Sequence, residues 1–439
     1  MRLQLHNVGP IRDATVVIQP LTVLIGPNGS GKTTVSTIAY AAAQANLRAR
    51  RDAGWSFLRR AARLGDRHEV IDLARRLVAN WEDEFRVAFQ HELERCVGPD
   101  LLRLAREGRA GRGAAPRIVV SNGKKPGAGW QLVFRIQKDG LVLERRSNQY
   151  RAPRVPVVTA SDKRRQASAL AYEGQVRRVL QRGMPSNAVY FPAARSGLMQ
   201  MHTTLTNLMI NAIGAGYLDH AAVGPVPGTA VDFVQFLAGI DPDAELPEDD
   251  DVATYLEESV VRGSVSLEIE GGSRVVRFTP SGLEGAIDIE FAATSAAELA
   301  PLILYLRHRL GDGDSVYIDE PEAHFHPMNQ VALADGLLRI AGEVQALVIA
   351  THSEFLVSGI SNALLAAGGP GQNEAAPRPA VHIYEFYCNK SDESRGYEVT
   401  HYEVDPDEGF DVRQFSTVAE ATYEEGISLY NALHASARP

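Results

Sequence analysis

The feature that most constrains this chain is a glycine-rich loop between an apolar segment and a helix-like segment. Residues 26–33 read Gly-Pro-Asn-Gly-Ser-Gly-Lys-Thr, the complete G-x-x-x-x-G-K-[ST] pattern of a phosphate-binding loop. The preceding Leu21–Ile25 is short and apolar, which favours a buried parallel strand, and Thr33–Ala45 carries small and apolar residues at helical spacing. Because the unpaired N–H groups at a helix N-terminus attract anions, this order of segments predicts a nucleotide site.

Each residue of this loop is a candidate for nucleotide binding. Lys32 is expected to reach the β- and γ-phosphates, and the Thr33 hydroxyl is expected to bind Mg²⁺. A glycine-rich turn that binds nothing is the alternative, but such a turn would not need the Gly-Lys-Thr ending. The candidate binding residues are Gly26, Pro27, Asn28, Gly29, Ser30, Gly31, Lys32, Thr33 and Thr34.

A second candidate segment is an apolar run that ends in two adjacent carboxylates, Asp319 and Glu320. A carboxylate at the end of a strand can hold Mg²⁺, and its neighbour can act as a general base on an attacking water. His352 follows the next predicted strand, at the sheet edge where ligands of open α/β sheets bind. We therefore predict Lys32, Glu320 and His352 as catalytic residues, with Thr33 and Asp319 as metal ligands.

Composition narrows the class of protein. A chain of 439 residues favours two lobes, or one core with a large insertion. Cys96 and Cys388 are the only cysteines and lie far apart, so neither a disulfide scaffold nor a zinc site is indicated. The absence of a leader-like start and of an apolar run of about 20 residues predicts a cytoplasmic protein with no membrane contact.

The charge is unevenly distributed. The formal net charge is -9, yet arginines crowd residues 48–76 and 145–182. Such asymmetry permits a basic face that contacts nucleic acid, and it is equally typical of solvated helix surface. Both interpretations stay open at this stage.

The remaining pattern alternates between strands and helices. We predict mainly helical structure over residues 34–107 and 198–260, and a hairpin of residues 381–387 with 397–404. The other predicted strands are residues 117–121, 130–136, 140–145, 188–191, 264–270, 274–279, 286–292, 315–318 and 346–350, and the other predicted helices are residues 162–183, 295–310, 328–342 and 418–433.

Together these motifs resemble the ABC-class ATPases of the SMC, RecF and OLD-like group. Residues 3–8 with the phosphate loop look like the N-terminal half of that head domain, residues 319–327 like its Walker B motif and D-loop, and residues 351–353 like its His switch. The resemblance implies hydrolysis of ATP to ADP and phosphate, with ATP and Mg²⁺ as cofactors.

The resemblance also implies an architecture. It predicts an α/β fold, an ABC-type P-loop ATPase head of mixed sheets flanked by helices, with an inserted and mainly helical arm. The head would comprise residues 1–45 and 188–439, the arm residues 46–187, and a helical sub-insertion in the head residues 198–262.

The family's signature motif is expected at residues 294–298, Thr-Ser-Ala-Ala-Glu. In the family, the serine binds the γ-phosphate held by the other subunit, which implies that Ser295 acts in trans within a homodimer or higher homo-oligomer. Alanines stand where glycines are usual. Ser295 would also make a good N-cap, with Glu298 as its capping-box partner.

Three further side chains invite a role. Arg195, in the loop of residues 191–197, is either a γ-phosphate or partner-sensing residue or an arginine that holds its loop. His324 and His326 lie two residues apart without further ligands, so a metal site there is disfavoured.

Several kinds of ATPase are disfavoured by the spacing of the motifs. Transporter ATPases have a shorter insertion than the roughly 260 residues between Thr33 and Ser295, and SMC proteins need long heptad repeats. A nuclease domain of the OLD type would need more than the roughly 85 residues after His352. The resemblance then implies a nucleotide-dependent switch or scaffold in anti-phage defence, beside a separate nuclease or toxin effector. The alternative is a RecF/SMC-like DNA-repair ATPase whose Arg-rich arm binds duplex DNA.

Overall fold

The computed structural model describes most of the chain. The described residues are 1–52, 67–98, 100–104, 115–123, 129–137, 140–148, 183–193, 195–201, 226–242, 251–270, 273–311, 313–367, 379–388, 396–410, 423–425 and 427–428. The predicted helices at residues 162–183 and 418–433 lie wholly or largely outside them.

Fourteen strands and seven α-helices have their bounds within the described residues. The strands are β1 Arg2–Val8, β2 Ile11–Val17, β3 Leu21–Ile25, β4 Arg117–Ser121, β5 Trp130–Gln137, β6 Gly140–Asn148, β7 Asn187–Phe191, β8 Gly263–Glu270, β9 Ser273–Pro280, β10 Ile287–Asp288, β11 Asp314–Asp319, β12 Ala346–Thr351, β13 Val381–Tyr387 and β14 Tyr397–Glu403. The helices are α1 Lys32–Asp52, α2 Arg67–Val97, α3 Gly228–Ala238, α4 Asp251–Leu256, α5 Thr294–His308, α6 Pro327–Glu343 and α7 Glu354–Ala366.

Eleven of these strands form one mixed sheet, in the order β6-β5-β4-β1-β2-β14-β13-β3-β12-β11-β7, and β8 to β10 form a second, antiparallel sheet. Helices lie on both faces of the large sheet, so the chain is an α/β protein as predicted. Neighbouring residues of β3 lie on opposite faces of the sheet. Val23 belongs to the apolar core beneath α5 to α7, and Leu24 belongs to the core beneath α1 and α2.

The part of the sheet that positions the site is parallel. Neighbouring pairs β13–β3, β3–β12, β12–β11 and β11–β7 all run in the same direction. Every residue of β3, β11 and β12 is buried, which is consistent with the apolar residues in the middle of each strand. The carboxyl ends of these three adjacent strands therefore meet at one edge, and the three predicted motifs follow directly after them.

Part of the predicted arm, residues 46–187, is continuous with the sheet of the predicted head. Strands β4, β5 and β6 extend the head's own sheet from β1, and α2 packs against α1. The reason is visible in β5, where every second residue is buried, so that Trp130 and Phe134 pack on Trp81 and Phe85 of α2. Residues 149–182 of the predicted arm lie outside the described residues.

Most predicted elements are confirmed, and one is wrong. Residues 286–292 contain the two-residue β10 and then a 3₁₀ turn, Ile289–Phe291, in place of a full strand. The sequence Ile-Asp-Ile-Glu alternates apolar and polar residues, the pattern of a half-buried strand. In the structure, Ile289 is the buried residue of the turn. Within the described part of the chain, every helix is too short or too polar to cross a membrane.

Candidate nucleotide site

The phosphate loop needs glycine at two of its positions because of what packs against it. Gly26 and Gly31 have φ values of 145° and 101°, which other residues rarely adopt. A Cβ on Gly26 would lie 2.7 Å from the Phe386 carbonyl oxygen of β13, and one on Gly31 would lie 2.8 Å from the Ile11 side chain of β2. The loop thus closes on the sheet and leads into α1, whose first N–H groups have no partner within the helix.

Lys32 connects the loop to the carboxylates after β11. It is buried, and its Nζ donates hydrogen bonds to the carbonyl oxygens of Gly26 at 2.8 Å and Pro27 at 3.0 Å. Burial lowers the pKa of Lys32, and the negative charges of Glu320, Glu322 and Asp319 oppose that shift. The predicted lysine and the predicted carboxylates therefore share one site.

Asp319, at the end of β11, has the environment of a cation ligand. Its side chain is 4% exposed, and its Oδ2 accepts a hydrogen bond of 2.6 Å from the Tyr190 hydroxyl. Its Oδ1 is buried and has no hydrogen-bond partner of ordinary geometry among the described residues. Burial raises the pKa of Asp319 to about 6, while the hydroxyls of Tyr190 and Thr33 act in the opposite direction. A buried, unpartnered carboxylate oxygen beside a threonine hydroxyl suits Mg²⁺, which prefers oxygen ligands.

Glu320 and His352 lie beside each other at the open side of the site. Glu320 Oε1 is 3.6 Å from His352 Nδ1, and the Glu320 side chain is 41% exposed. Glu320 has a φ of 46°, in the left-handed region that is uncommon for residues other than glycine. Such backbone strain clusters at functional sites, where the surrounding structure maintains it.

Glu322 lies in the segment of residues 319–327 and is a site residue to which the sequence assigns no role of its own. It is buried, and its Oε1 accepts hydrogen bonds from the Thr351 hydroxyl and, at 3.2 Å, from the His352 backbone N–H. It therefore ties the turn after β11 to the turn after β12. The signal available in the sequence is the third carboxylate of Asp-Glu-Pro-Glu, two residues after Glu320.

Tyr190 is a second residue that the sequence did not single out. Its segment, Ala-Val-Tyr-Phe, is typical of any buried strand, so only the pairing of β7 with β11 reveals the hydroxyl beside Asp319. Burial raises the pKa of Tyr190 well above its usual value, so the hydroxyl stays protonated and donates.

Arg195 is buried and holds its surroundings together. Its side chain is 3% exposed, and its guanidinium donates to the carbonyl oxygens of Pro192, Asp319, Glu320 and Glu298 at 3.0, 2.6, 3.0 and 3.2 Å. It also forms an ion pair of 3.1 Å with Glu298. Of the two predicted roles, these contacts favour the arginine that holds its loop.

The predicted capping role of Ser295 is wrong. Helix α5 begins at Thr294, and its N-cap is Ala293, which supplies no side-chain cap. Glu298 is buried and points at Arg195 and the Ser196 N–H instead, because a buried carboxylate needs a cation and donors to offset its desolvation. The Ser295 side chain has no hydrogen-bond partner in the described part of the chain.

The two histidines of the turn before α6 have ordinary structural contacts. His326 is the N-cap of α6, where its Nδ1 accepts the Met328 N–H at 3.3 Å. His324 Nε2 is 3.8 Å from Glu298 Oε1. No group of three or more histidine, cysteine or acidic side chains is arranged to hold a metal among the residues that the structure describes.

No protein-family model and no curated protein matches this chain. Among solved structures, an SMC head domain of Pyrococcus furiosus with an extended coiled coil, bound to the C-terminal domain of ScpA, is similar at 12% identity and a TM-score of 0.44, over 96% of this chain and 98% of that one. An SMC head bound to the C-winged helix domain of ScpA has 13% identity and a TM-score of 0.44, over 92% and 97% of the two chains. The SMC head domain from Thermotoga maritima has 9% identity and a TM-score of 0.39, over 92% and 98%. The α/β class of this chain is established by its own sheet.

Proposed function

We propose that this chain is an ABC-class ATPase that binds ATP with Mg²⁺ and hydrolyses it to ADP and phosphate. The observation that carries the proposal is that Lys32, Asp319, Glu320 and His352 converge at the carboxyl edge of three adjacent parallel strands. That edge is where open α/β sheets bind their ligands. Each group has the chemistry that phosphoryl transfer to water requires.

The roles follow from the local geometry. The N–H groups of the loop and Lys32 bind the phosphates, and Thr33 with Asp319 would hold the metal ion. Mg²⁺, when bound, would neutralise the charge on the transferred phosphoryl group. The Glu320 carboxylate, exposed and held in a strained turn, accepts the proton of the attacking water. His352 lies beside that carboxylate, with Nδ1 3.6 Å from Glu320 Oε1, and orients the water or the γ-phosphate.

A second copy of the chain would complete the site. Among the described residues Ser295 has no hydrogen-bond partner, and large apolar side chains are exposed close to the starts of three helices, Phe291 before α5, Met328 in α6 and Phe355 in α7. Helices α6 and α7 follow β11 and β12, so their starts lie at the nucleotide edge. We therefore propose a homodimer, or a higher homo-oligomer, formed through the ATP sites.

The biological role that we propose is a nucleotide-dependent switch or scaffold that controls a separate effector, a nuclease or toxin, in anti-phage defence. The rival interpretation is a DNA-repair ATPase that binds duplex DNA through arginines. Two arginines of that cluster are engaged within the protein, since Arg48 pairs with Glu92 and Arg50 donates to the Pro185 carbonyl. The two interpretations predict different partners, a separate effector protein or duplex DNA.

Phosphate release by the purified protein tests the enzymatic proposal. We expect hydrolysis that requires Mg²⁺, is abolished by a chelator and is lost in Lys32→Ala, because the lysine ammonium contacts the phosphates. Arg339→Ala, which removes an exposed cation of α6, is the matched control. Magnesium-independent hydrolysis, or wild-type activity of Lys32→Ala, would refute the assignment.

Co-purification from the native operon, with and without ATP, tests the biological role. We expect an effector protein to be retained in a nucleotide-dependent way. Nucleotide-dependent and salt-sensitive binding of duplex DNA by the purified protein alone would support the DNA-repair interpretation instead.

A further inference from the structure

Arg195 joins three segments that are distant in sequence. Its guanidinium contacts the Pro192 carbonyl of its own loop, the Asp319 and Glu320 carbonyls of the turn after β11, and Glu298 of α5. Arginine has five N–H donors in a rigid plane, so one guanidinium can bind acceptors on several sides at once. A buried guanidinium with these partners fixes the relative positions of the three segments.

The turn after β11 is the segment that most needs support. Glu320 has a φ of 46°, and Arg195 binds the carbonyl oxygen on each side of its N–Cα–C unit, that of Asp319 at 2.6 Å and that of Glu320 at 3.0 Å. A strained residue keeps its conformation only where its surroundings enforce it. The Glu320 carboxylate is exposed, so its direction is determined by these contacts to its backbone.

Glu298 connects the same arginine to α5. It lies in the first turns of that helix, three residues after Ser295, and its carboxylate meets Arg195 at 3.1 Å and accepts the Ser196 N–H at 3.2 Å. His324, in the turn that follows Glu320, lies 3.8 Å from the same carboxylate. A movement of the turn after β11 must therefore displace Arg195, and with it the start of α5.

We propose that Arg195 and Glu298 are a positioning pair that couples Glu320 of one nucleotide site to Ser295, the group that completes the site of the other subunit. The proposal rests on the proposed function, that of an ATPase with composite sites. Neither side chain touches the nucleotide. The pair makes the position of Ser295 depend on whether the turn after β11 is in its hydrolysis-competent arrangement.

Two conservative variants remove the coupling with little change in volume. Glu298→Gln keeps an acceptor for the Ser196 N–H and loses the charge, and Arg195→Lys keeps the charge and loses the planar set of donors. The matched control is Glu257→Gln, which breaks another buried Arg–Glu pair at the opposite end of α5. There Arg307 contacts Glu257 at 2.7 and 2.8 Å, and Glu257 also accepts a backbone N–H, that of Val265.

The measurements are ATP affinity, kcat, ATP-dependent dimerisation and thermal stability of the full chain. We expect Glu298→Gln and Arg195→Lys to bind ATP within about threefold of wild type while kcat falls about 10- to 100-fold and ATP-driven dimerisation weakens. The double variant should be no slower than the slower single variant, because both changes disrupt one unit. Glu257→Gln should lose thermal stability and keep kcat within about twofold.

Three outcomes would overturn the inference. Wild-type kcat and wild-type dimerisation in Glu298→Gln would show that the pair has no coupling role, while the ATPase assignment would stand; this variant suffices if Arg195→Lys does not fold. An equal loss of kcat in Glu257→Gln would show a general effect of stability. A wild-type protein that neither binds nor hydrolyses ATP would refute the proposed function and this inference together.

Discussion

The Tyr190 hydroxyl donates a 2.6 Å hydrogen bond to Oδ2 of Asp319, from the neighbouring strand of the sheet. Because that bond occupies one carboxylate oxygen, it fixes the rotation of the side chain and leaves the buried Oδ1 for a cation. A partner of a metal ligand of this kind usually orients the ligand and adjusts its affinity for the metal.

The first prediction concerns this hydrogen bond. Tyr190→Phe should raise the Mg²⁺ concentration needed for half-maximal ATPase activity about 10-fold, because Asp319 loses its orientation. A magnesium titration of phosphate release measures the effect. Tyr305→Phe is the matched control, since its hydroxyl donates a 2.6 Å bond to Asp314 at the far end of the same strand. An unchanged titration in Tyr190→Phe, or an equal shift in the control, would contradict the orienting role.

The second prediction concerns the cost of burying the Asp319 charge. Its pKa in the folded protein is raised from 3.8 to about 6, so the folded state binds the proton more tightly than the unfolded state. Protonation of Asp319 therefore stabilises the folded state relative to the unfolded state. This stabilisation is fully present below pH 3.8 and is lost as the pH rises through about 6. Asp319→Asn should therefore stabilise the metal-free and nucleotide-free protein by about 1–3 kcal/mol at pH 8.

Denaturant unfolding at pH 4 and pH 8, in the presence of a chelator, measures this difference. The gain of Asp319→Asn should largely disappear at pH 4. Glu320→Gln is the control, because its carboxylate is 41% exposed and its neutralisation should change stability little at either pH. A destabilised Asp319→Asn at pH 8 would be inconsistent with a buried and under-partnered carboxylate.

The third prediction concerns the general base. Glu320→Gln should keep ATP affinity and lower the hydrolysis rate by about 10²- to 10⁴-fold, because the amide cannot accept the proton of the attacking water. The bound dimer should then accumulate, which light scattering with ATP would detect. Glu268→Gln, at an exposed position of β8, is the control. Hydrolysis by Glu320→Gln at the wild-type rate would rule out the base assignment.

The fourth prediction concerns the residue expected to act in trans. Ser295→Arg should abolish hydrolysis and leave ATP binding by the monomer intact, because Ser295 is proposed to contact only the nucleotide of the other subunit. Ser266→Arg, at an exposed position of β8, introduces the same charge away from the site and should keep activity. Full activity of Ser295→Arg would refute the composite site.

The sequence was most informative where the chemistry is local. The phosphate loop, the Asp319-Glu320 pair and His352 each follow an apolar strand, and the rule that ligands bind at the carboxyl edge of a parallel sheet places them together. The pairing of β3, β12 and β11 confirms that placement. Their roles in catalysis stay predictions.

The residues that sequence reasoning missed depend on contacts between distant segments. Tyr190 and Glu322 acquire their roles only when β7, β11 and β12 are neighbours, and no spacing within one segment encodes that. The local sequence predicts a capping box for Glu298, because its actual partner, Arg195, lies about 100 residues earlier in the chain. In the same way, the segment of β4 is typical of any strand, and only its pairing with β1 shows that this part of the predicted arm joins the large sheet.

The central claim, that each site is built from two subunits, is tested most directly by mixing Ser295→Arg with Glu320→Gln before ATP is added. Each variant alone should be inactive. In a mixed dimer, one site combines the intact Glu320 of the Ser295→Arg protomer with the intact Ser295 of the Glu320→Gln protomer, and the other site carries both changes. If subunits exchange freely, about half of the dimers are mixed, so equal amounts should recover about one quarter of wild-type activity. A mixture that stays as inactive as its components, although the subunits demonstrably exchange, would contradict the account.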